Sequence, residues 1–206
     1  MQTKGRGRLQ RRWVSDSGNL SATLLYPTSA APEQGALYGL AAAVAVAETL
    51  EAYRPQRPIT LKWPNDVLVG GAKISGLLIE RETDALLLGV GLNLVGHPRD
   101  TPYPATHLVA EMRVDDLAQD EPLFTGSAAV LALLSANVLA RFAQLEKDGF
   151  GPVRDAWLAR AHGLDGTVMV DGRTGRFVSI ADNGALILGH TDGTESRVHA
   201  GDVSFG

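Results

Sequence analysis

At 206 residues the chain has the length for one domain with a full core, or for one domain and a small appendage. With 45% apolar and 20% charged residues and a net charge of -4, it has the balance of an ordinary globular protein, and the acidic excess argues against a general nucleic-acid binder. The absence of cysteine excludes a disulfide framework, a thiolate nucleophile and a thiolate metal site. No uninterrupted apolar run reaches the roughly 18 residues that span a bilayer, and no apolar signal region follows the N-terminal charges, so the expected setting is the cytoplasm, away from membranes.

The first informative stretch, residues 5–13, reads GRGRLQRRW and places four arginines and two glycines in nine residues. Glycine lets a backbone approach a ligand closely, and arginine offers rigid donor forks for phosphate and carboxylate oxygens, so this is the composition of an anion-binding loop. A solvated basic tail has the same composition. DSGN at residues 16–19 is turn chemistry, and residues 20–26 then read as a largely buried strand closed by Pro27. Residues 32–53 carry Leu37, Leu40, Ala41, Val44, Ala47 and Leu50 at helical spacing, and the alanines on the remaining faces predict a helix packed closely on a sheet.

Residues 59–63, 67–69, 72–81 and 85–94 read as strands, with Gly70 and Gly71 as a hairpin turn. Residues 97–110 hold three prolines and no apolar period, which predicts a loop. Helical spacing returns at residues 125–145 and again at 153–161. From residue 162 onward, short alternating runs at 167–170, 176–180, 185–188, 197–200 and 203–205 are separated by glycine-rich turns, the pattern of a small barrel.

Four segments in series, GRGRLQRRW, KWPND at residues 62–66, AKISGLLIE at 72–80 and GVGLN at 89–93, resemble biotin protein ligases, and the resemblance runs over nearly the whole chain. It implies an α/β (α+β) fold. A class II synthetase-like catalytic domain, a mixed sheet packed with helices, would occupy residues 1–161, and an SH3-like β-barrel residues 162–206. It also implies activation of biotin by ATP to biotinyl-5′-AMP and transfer to a lysine of a biotin carboxyl carrier protein. Mg²⁺ would be held mainly by the ATP phosphates, with no metal site made by the protein alone, and many members dimerise through the catalytic sheet. Lipoate ligases share the fold, but the GRGR and KWPND pair points to biotin.

By the same resemblance Lys73, in the KxxG element ending at Gly76, touches the biotin carboxylate and the α-phosphate. Arg6, Gly7 and Arg8 fold over the adenylate, and Gln2 hydrogen-bonds biotin. Asp66, beside Asn65, orients the lysine, while Gly91 and Asn93 line the same site. Trp13 packs near the adenine-side lid or, equally, in an ordinary core. Lys73 as a water-exposed hairpin lysine, and Asn65-Asp66 as a turn with purely local bonds, are the plain alternatives. Lys4, Leu9 and Gln10 depart from the commonest family residues without touching the core of the motif.

The family's Ser-Thr-Asn element, which contacts the biotin ureido ring, lies tens of residues before GRGR and is expected to be absent from a chain that starts at Met1. So is a DNA-binding helix-turn-helix. These expectations leave a rival, a non-catalytic biotin or adenylate binder.

Overall fold

The structure, a computed structural model, describes residues 4–117 and 123–205. Five strands form the first sheet: β1 (Leu20–Pro27), β2 (Ile59–Lys62), β3 (Asp66–Val69), β4 (Ala72–Arg81) and β5 (Ala85–Leu92), in the order β1-β5-β4-β3-β2. Every pair of neighbouring strands is antiparallel. The expected mixed sheet is therefore corrected. Tight turns link β2 through β5 in succession, and parallel pairing among the described residues is confined to single bridges at Leu61–Ala161 and Lys73–Ala105. At the β3–β4 turn Gly70 and Gly71 both have positive φ, as a two-residue primed turn requires.

The two faces of the sheet differ because side chains alternate. Leu77, Leu88 and Val90 are buried on the face that meets α1 (Gly35–Glu51). Ile79 contacts the positions of Gly35 and Gly39 on that helix. Helices α4 (Ser127–Asp148) and α5 (Phe150–Leu158) pack on α1 from the other side. This makes α1 a central layer, which explains why it is apolar around its middle turns and why its alanines from Ala41 to Ala47 are buried. Helix α4 alone among the described residues is long and apolar enough to cross a membrane, yet its Val130, Leu134, Val138 and Phe142 stripe is buried in the core.

Two further helices, α2 (Leu108–Glu111) and α3 (Val114–Leu117), fall in or just beyond the segment expected to be a loop. A four-residue helix shows no period, and α2 is held by burial of Leu108 and Met112. Helix α5 begins earlier than expected. Gly149, at φ 77°, ends α4, and Pro152 then sits in the first turn of α5, where its missing N–H leaves no bond unmade.

The second sheet consists of β6 (Thr167–Val170), β7 (Arg173–Ile180), β8 (Leu186–Gly189), β9 (Glu195–Val198) and β10 (Val203–Phe205), antiparallel in the order β10-β6-β7-β8-β9. It is the sheet expected of an SH3-like module. Strand β7 starts at Arg173 because the turn is the pair Asp171-Gly172, both at positive φ, while Gly175 lies within the strand where β8 comes close. The two sheets are tied together at Trp63, whose buried indole donates to Gly184 O at 3.1 Å, and along β2, where Leu61 exchanges backbone bonds with Arg160 and His162.

Candidate active site

On the sheet face away from α1, side-chain alternation brings Ser21 and Thr23, Gly76, Leu78 and Glu80, and Gly89 and Gly91 to the surface. They floor a cavity of about 590 Å³. Gly76 and Gly91 are cross-strand partners, so two adjacent strands lack a side chain at the same level and leave a slot. The walls come from the arginine-rich segment, the KWPND turn, Tyr103 of the proline-rich loop and Asp202 of the second sheet.

The arginine-rich segment is a small hairpin. Trp13 N–H donates to Gly5 O, Gly7 N–H to Arg11 O, and Arg8–Gln10 forms one turn of 3₁₀ helix. Its side chains reach outward to three different elements. Arg6 pairs with Glu80 at 3.1 Å, Arg11 pairs with Asp202, and Arg8 Nη1 donates to Asn65 Oδ1 at 3.2 Å and to Gly201 O at 3.5 Å. The indole of Trp13 lies over the slot, against both Gly76 and Gly91. Trp13 is thus not part of an ordinary core, and its indole covers the glycine floor of the cavity.

Lys73 stands at the edge of the slot. Its Nζ is 2.6 Å from Asp66 Oδ1, and the side chains are only 15% and 18% exposed. The rings of Tyr103 and Trp13 lie 5.2 and 5.9 Å from the same nitrogen. Its backbone is fixed as well, since Lys73 N–H donates to Pro104 O and its carbonyl accepts from Thr106 N–H. This is not a hairpin lysine waving in water. Asn65 is more than a local turn residue too, for its amide donates to Leu77 O on β4 while its carbonyl oxygen receives Arg8. The Trp63–Pro64 bond in this turn is cis.

The structure thus brings Arg6, Gly7, Arg8, Trp13, Asn65, Asp66, Lys73, Gly76 and Gly91 around one cavity. Asn93 does not join them. It is buried just beyond β5, and its amide donates to Thr106 O, so it serves to hold the proline-rich loop in place. Gln2 lies outside the described residues. Sequence reasoning passed over Lys62, Arg11, Tyr103 and Asp202. Lys62 sat in a quoted motif, whereas Tyr103 and Asp202 carry no local signal and reach the cavity only through folding. Burial pushes the Lys62 ammonium below its usual pKa, and Lys73 adds to this while Asp66 and Asp202 oppose it.

With the glycine floor, the lysine–carboxylate pair and a hairpin of arginines, the cavity can take an apolar ring system joined to a polyanion. Comparison with known proteins agrees. Residues 1–94 match the model of the biotin/lipoate A/B protein ligase family. The chain is 35% identical to biotin–[acetyl-CoA-carboxylase] ligase of Paracoccus denitrificans, over all of this chain and 88% of that protein. It is 28% identical to the bifunctional ligase/repressor BirA of Bacillus subtilis, over all of this chain and 64% of that one. Among solved structures, biotin protein ligase from Aquifex aeolicus in complex with biotin and ATP superposes with a TM-score of 0.79 at 26% identity, covering 98% of this chain and 84% of that chain. By its likeness to the Paracoccus enzyme along its entire length, and by the matching family model, the chain belongs to the biotin protein ligase family.

Proposed function

We infer that the protein joins biotin to ATP, forming biotinyl-5′-AMP and pyrophosphate, and then transfers the biotinyl group to a lysine of a biotin carboxyl carrier protein in the cytoplasm. The observation that carries the reading is Lys73: a caged ammonium set between the glycine slot and the arginine hairpin, where a carboxylate and a phosphate would meet.

In the first step a carboxylate oxygen of biotin attacks the α-phosphorus of ATP and pyrophosphate leaves. Both reactants are anions, so the protein's work is to hold them together and to offset charge. Lys73 would bridge the biotin carboxylate and the α-phosphate, and Asp66 would keep the lysine aimed. Gly76 and Gly91 would let the biotin ring lie on the sheet, at the place Trp13 covers here. Arg6, Gly7 and Arg8 would close over the adenylate and keep water from the mixed anhydride. In the second step the neutral amine of the carrier lysine attacks the activated carbonyl, and AMP departs.

Mg²⁺ would arrive with ATP. Among the described residues no three His, Asp or Glu side chains converge on a metal position, but Asp66 offers one cavity carboxylate, a fit for an ion ligated chiefly by phosphate and water. Its contribution would be to offset phosphate charge. Residues 1–161 act as the catalytic unit on this reading, and residues 162–206 contribute Asp202 to the cavity wall. A homodimer through the catalytic sheet would have the outer edge of β1 to pair with.

Biotin-dependent exchange of labelled pyrophosphate into ATP tests the first step. Exchange with biotin and not with lipoate supports the reading, and exchange with neither leaves a non-catalytic binder.

A further inference from the structure

Most cations around the cavity are already answered. Among the described residues Arg6, Arg11 and Lys73 each have a carboxylate partner, and Arg8 has the side-chain oxygen of Asn65. Lys4, Arg12 and Lys62 have no ion pair among the described residues, and of these three Lys62 alone is drawn out of water, since Lys4 and Arg12 are exposed. Lys62 lines the cavity half-buried at the end of β2, with its Nζ 5.5 Å from the centre of the Phe205 ring. An ammonium drawn out of water without a counter-ion is costly to keep, and the cost is recovered when an anion arrives.

Its position indicates which anion. Lys62 is the cross-strand partner of Asp66, so Lys62 and Lys73 approach one carboxylate from the strands on either side of β3. Two ammonium groups share one negative charge there, leaving one positive charge over. The glycine slot adjoins Lys73, whose Cε is 3.3 Å from a methyl built on Gly76. Lys62 stands across the sheet on β2, on the side of Asp66 away from the slot, against β10 and near Asp202 and Arg11. An acyl group on the glycine floor with its carboxylate at Lys73 therefore directs the rest of a nucleoside triphosphate toward Lys62.

We propose that Lys62 binds the β- and γ-phosphates of ATP and stabilises pyrophosphate as it leaves, a role that rests on the biotin-activating reading above. The carboxylate oxygen forms a bond to the α-phosphorus, and the bond from that phosphorus to the bridging oxygen breaks. The electron pair stays on pyrophosphate, and no proton moves. Negative charge thus grows on the leaving group on the β2 side of the cavity, where Lys62 stands. Lys62 has no part in the second step, because pyrophosphate has gone by then.

The test separates the two half-reactions in the full chain. Lys62→Met keeps the aliphatic stem over Phe205, and Lys62→Arg keeps the charge. Lys62→Met is expected to slow biotin-dependent pyrophosphate exchange about 100-fold. Transfer from chemically prepared biotinyl-5′-AMP to a carrier domain should stay within about threefold, and Lys62→Arg should recover most of the exchange. In the parent, kcat/KM for ATP should also fall as pH rises through the depressed pKa of Lys62, and Lys62→Arg should move that fall upward, which a purely structural role would not do. Exchange left within about threefold in Lys62→Met overturns the assignment. So does an equal loss in both half-reactions. If the parent itself activates no biotin, the function reading has failed, and calorimetry with inorganic pyrophosphate still decides on Lys62: binding weakened at least about tenfold in Lys62→Met supports the phosphate site, and unchanged binding rejects it.

Discussion

Trp13 and Gly91 are in direct contact: a methyl built on Gly91 would lie 2.2 Å from Cε2 of the indole. The glycine sits near the end of β5 but is paired with β1 on one side and β4 on the other, so the sheet cannot yield. The indole is carried by an exposed hairpin and can.

Gly91→Ala should therefore displace Trp13 and raise the floor of the slot, while leaving the fold intact. Overpacking of this kind costs about 1–3 kcal/mol, or roughly tenfold to a hundredfold in biotin affinity. Trp63 and Trp157 are buried, so a red shift in tryptophan emission would report chiefly on Trp13, and adding Trp13→Phe to Gly91→Ala should abolish it. Gly89→Ala is the control, since its methyl would meet only ordinary contacts at 3.5 Å and beyond. Equal shifts in the two variants would contradict the contact.

Lys73→Ala should reduce pyrophosphate exchange by about 10²- to 10³-fold, the usual loss when a donor aimed at developing charge is removed. Because Lys73 and Asp66 are largely withdrawn from water, the variant should also lose about 1–3 kcal/mol of folding stability through the stranded carboxylate. Adding Asp66→Asn should restore stability in urea melts without restoring exchange. If the double variant is the less stable one, the two side chains do not form a unit.

Arg8 joins the hairpin both to the KWPND turn and to the second sheet. Arg8→Gly removes both ties, so the lid should open more often over an adenylate that still forms. Loss of two such bonds predicts release of biotinyl-5′-AMP faster by about tenfold to a hundredfold, measured as free adenylate in a carrier-free reaction. Unchanged release together with a collapse of adenylation would move Arg8 into the reacting shell.

His107 and His162 make stability sensitive to mild acid. Burial holds both below the usual histidine pKa, helped at His107 by the facing His97, whose Nδ1 is 2.8 Å away, and at His162 by Lys62, while Glu111 opposes the shift at His107. The folded chain therefore takes up these protons less readily than the unfolded chain. The contribution of the neutral histidines is present above about pH 6.5 and is lost as pH falls from there through the lower folded values, by at most about 1.4 kcal/mol per pH unit for each. Replacing both by Asn should lessen the drop in unfolding free energy between about pH 7.5 and 5.5. A steeper drop in the variant would reverse the sign.

Where the sequence was legible, local pattern and tertiary structure agreed. The α1 period, the β1 to β5 runs and the glycine turns all found their elements, because alternation and turn chemistry act over a few residues. The misreadings have equally local causes. Gly175 looked like a turn because glycine also serves where strands come close, and α2 was too short to show a period. The GRGR, KWPND and KxxG segments named the cavity, but they could not say that Asn93 would turn away to Thr106 or that Tyr103 would face Lys73 across 30 residues of chain. The contribution of Asp202 depends on how the second sheet docks, and no segment of the sequence encodes that alone.

The most direct measurement is the intact mass of a biotin carboxyl carrier domain incubated with the full chain, ATP and biotin. A gain of one biotinyl group on the carrier, absent when ATP is withheld and lost with Lys73→Ala, is the predicted result. A carrier of unchanged mass, under conditions where an authentic biotin protein ligase modifies it, would contradict the account.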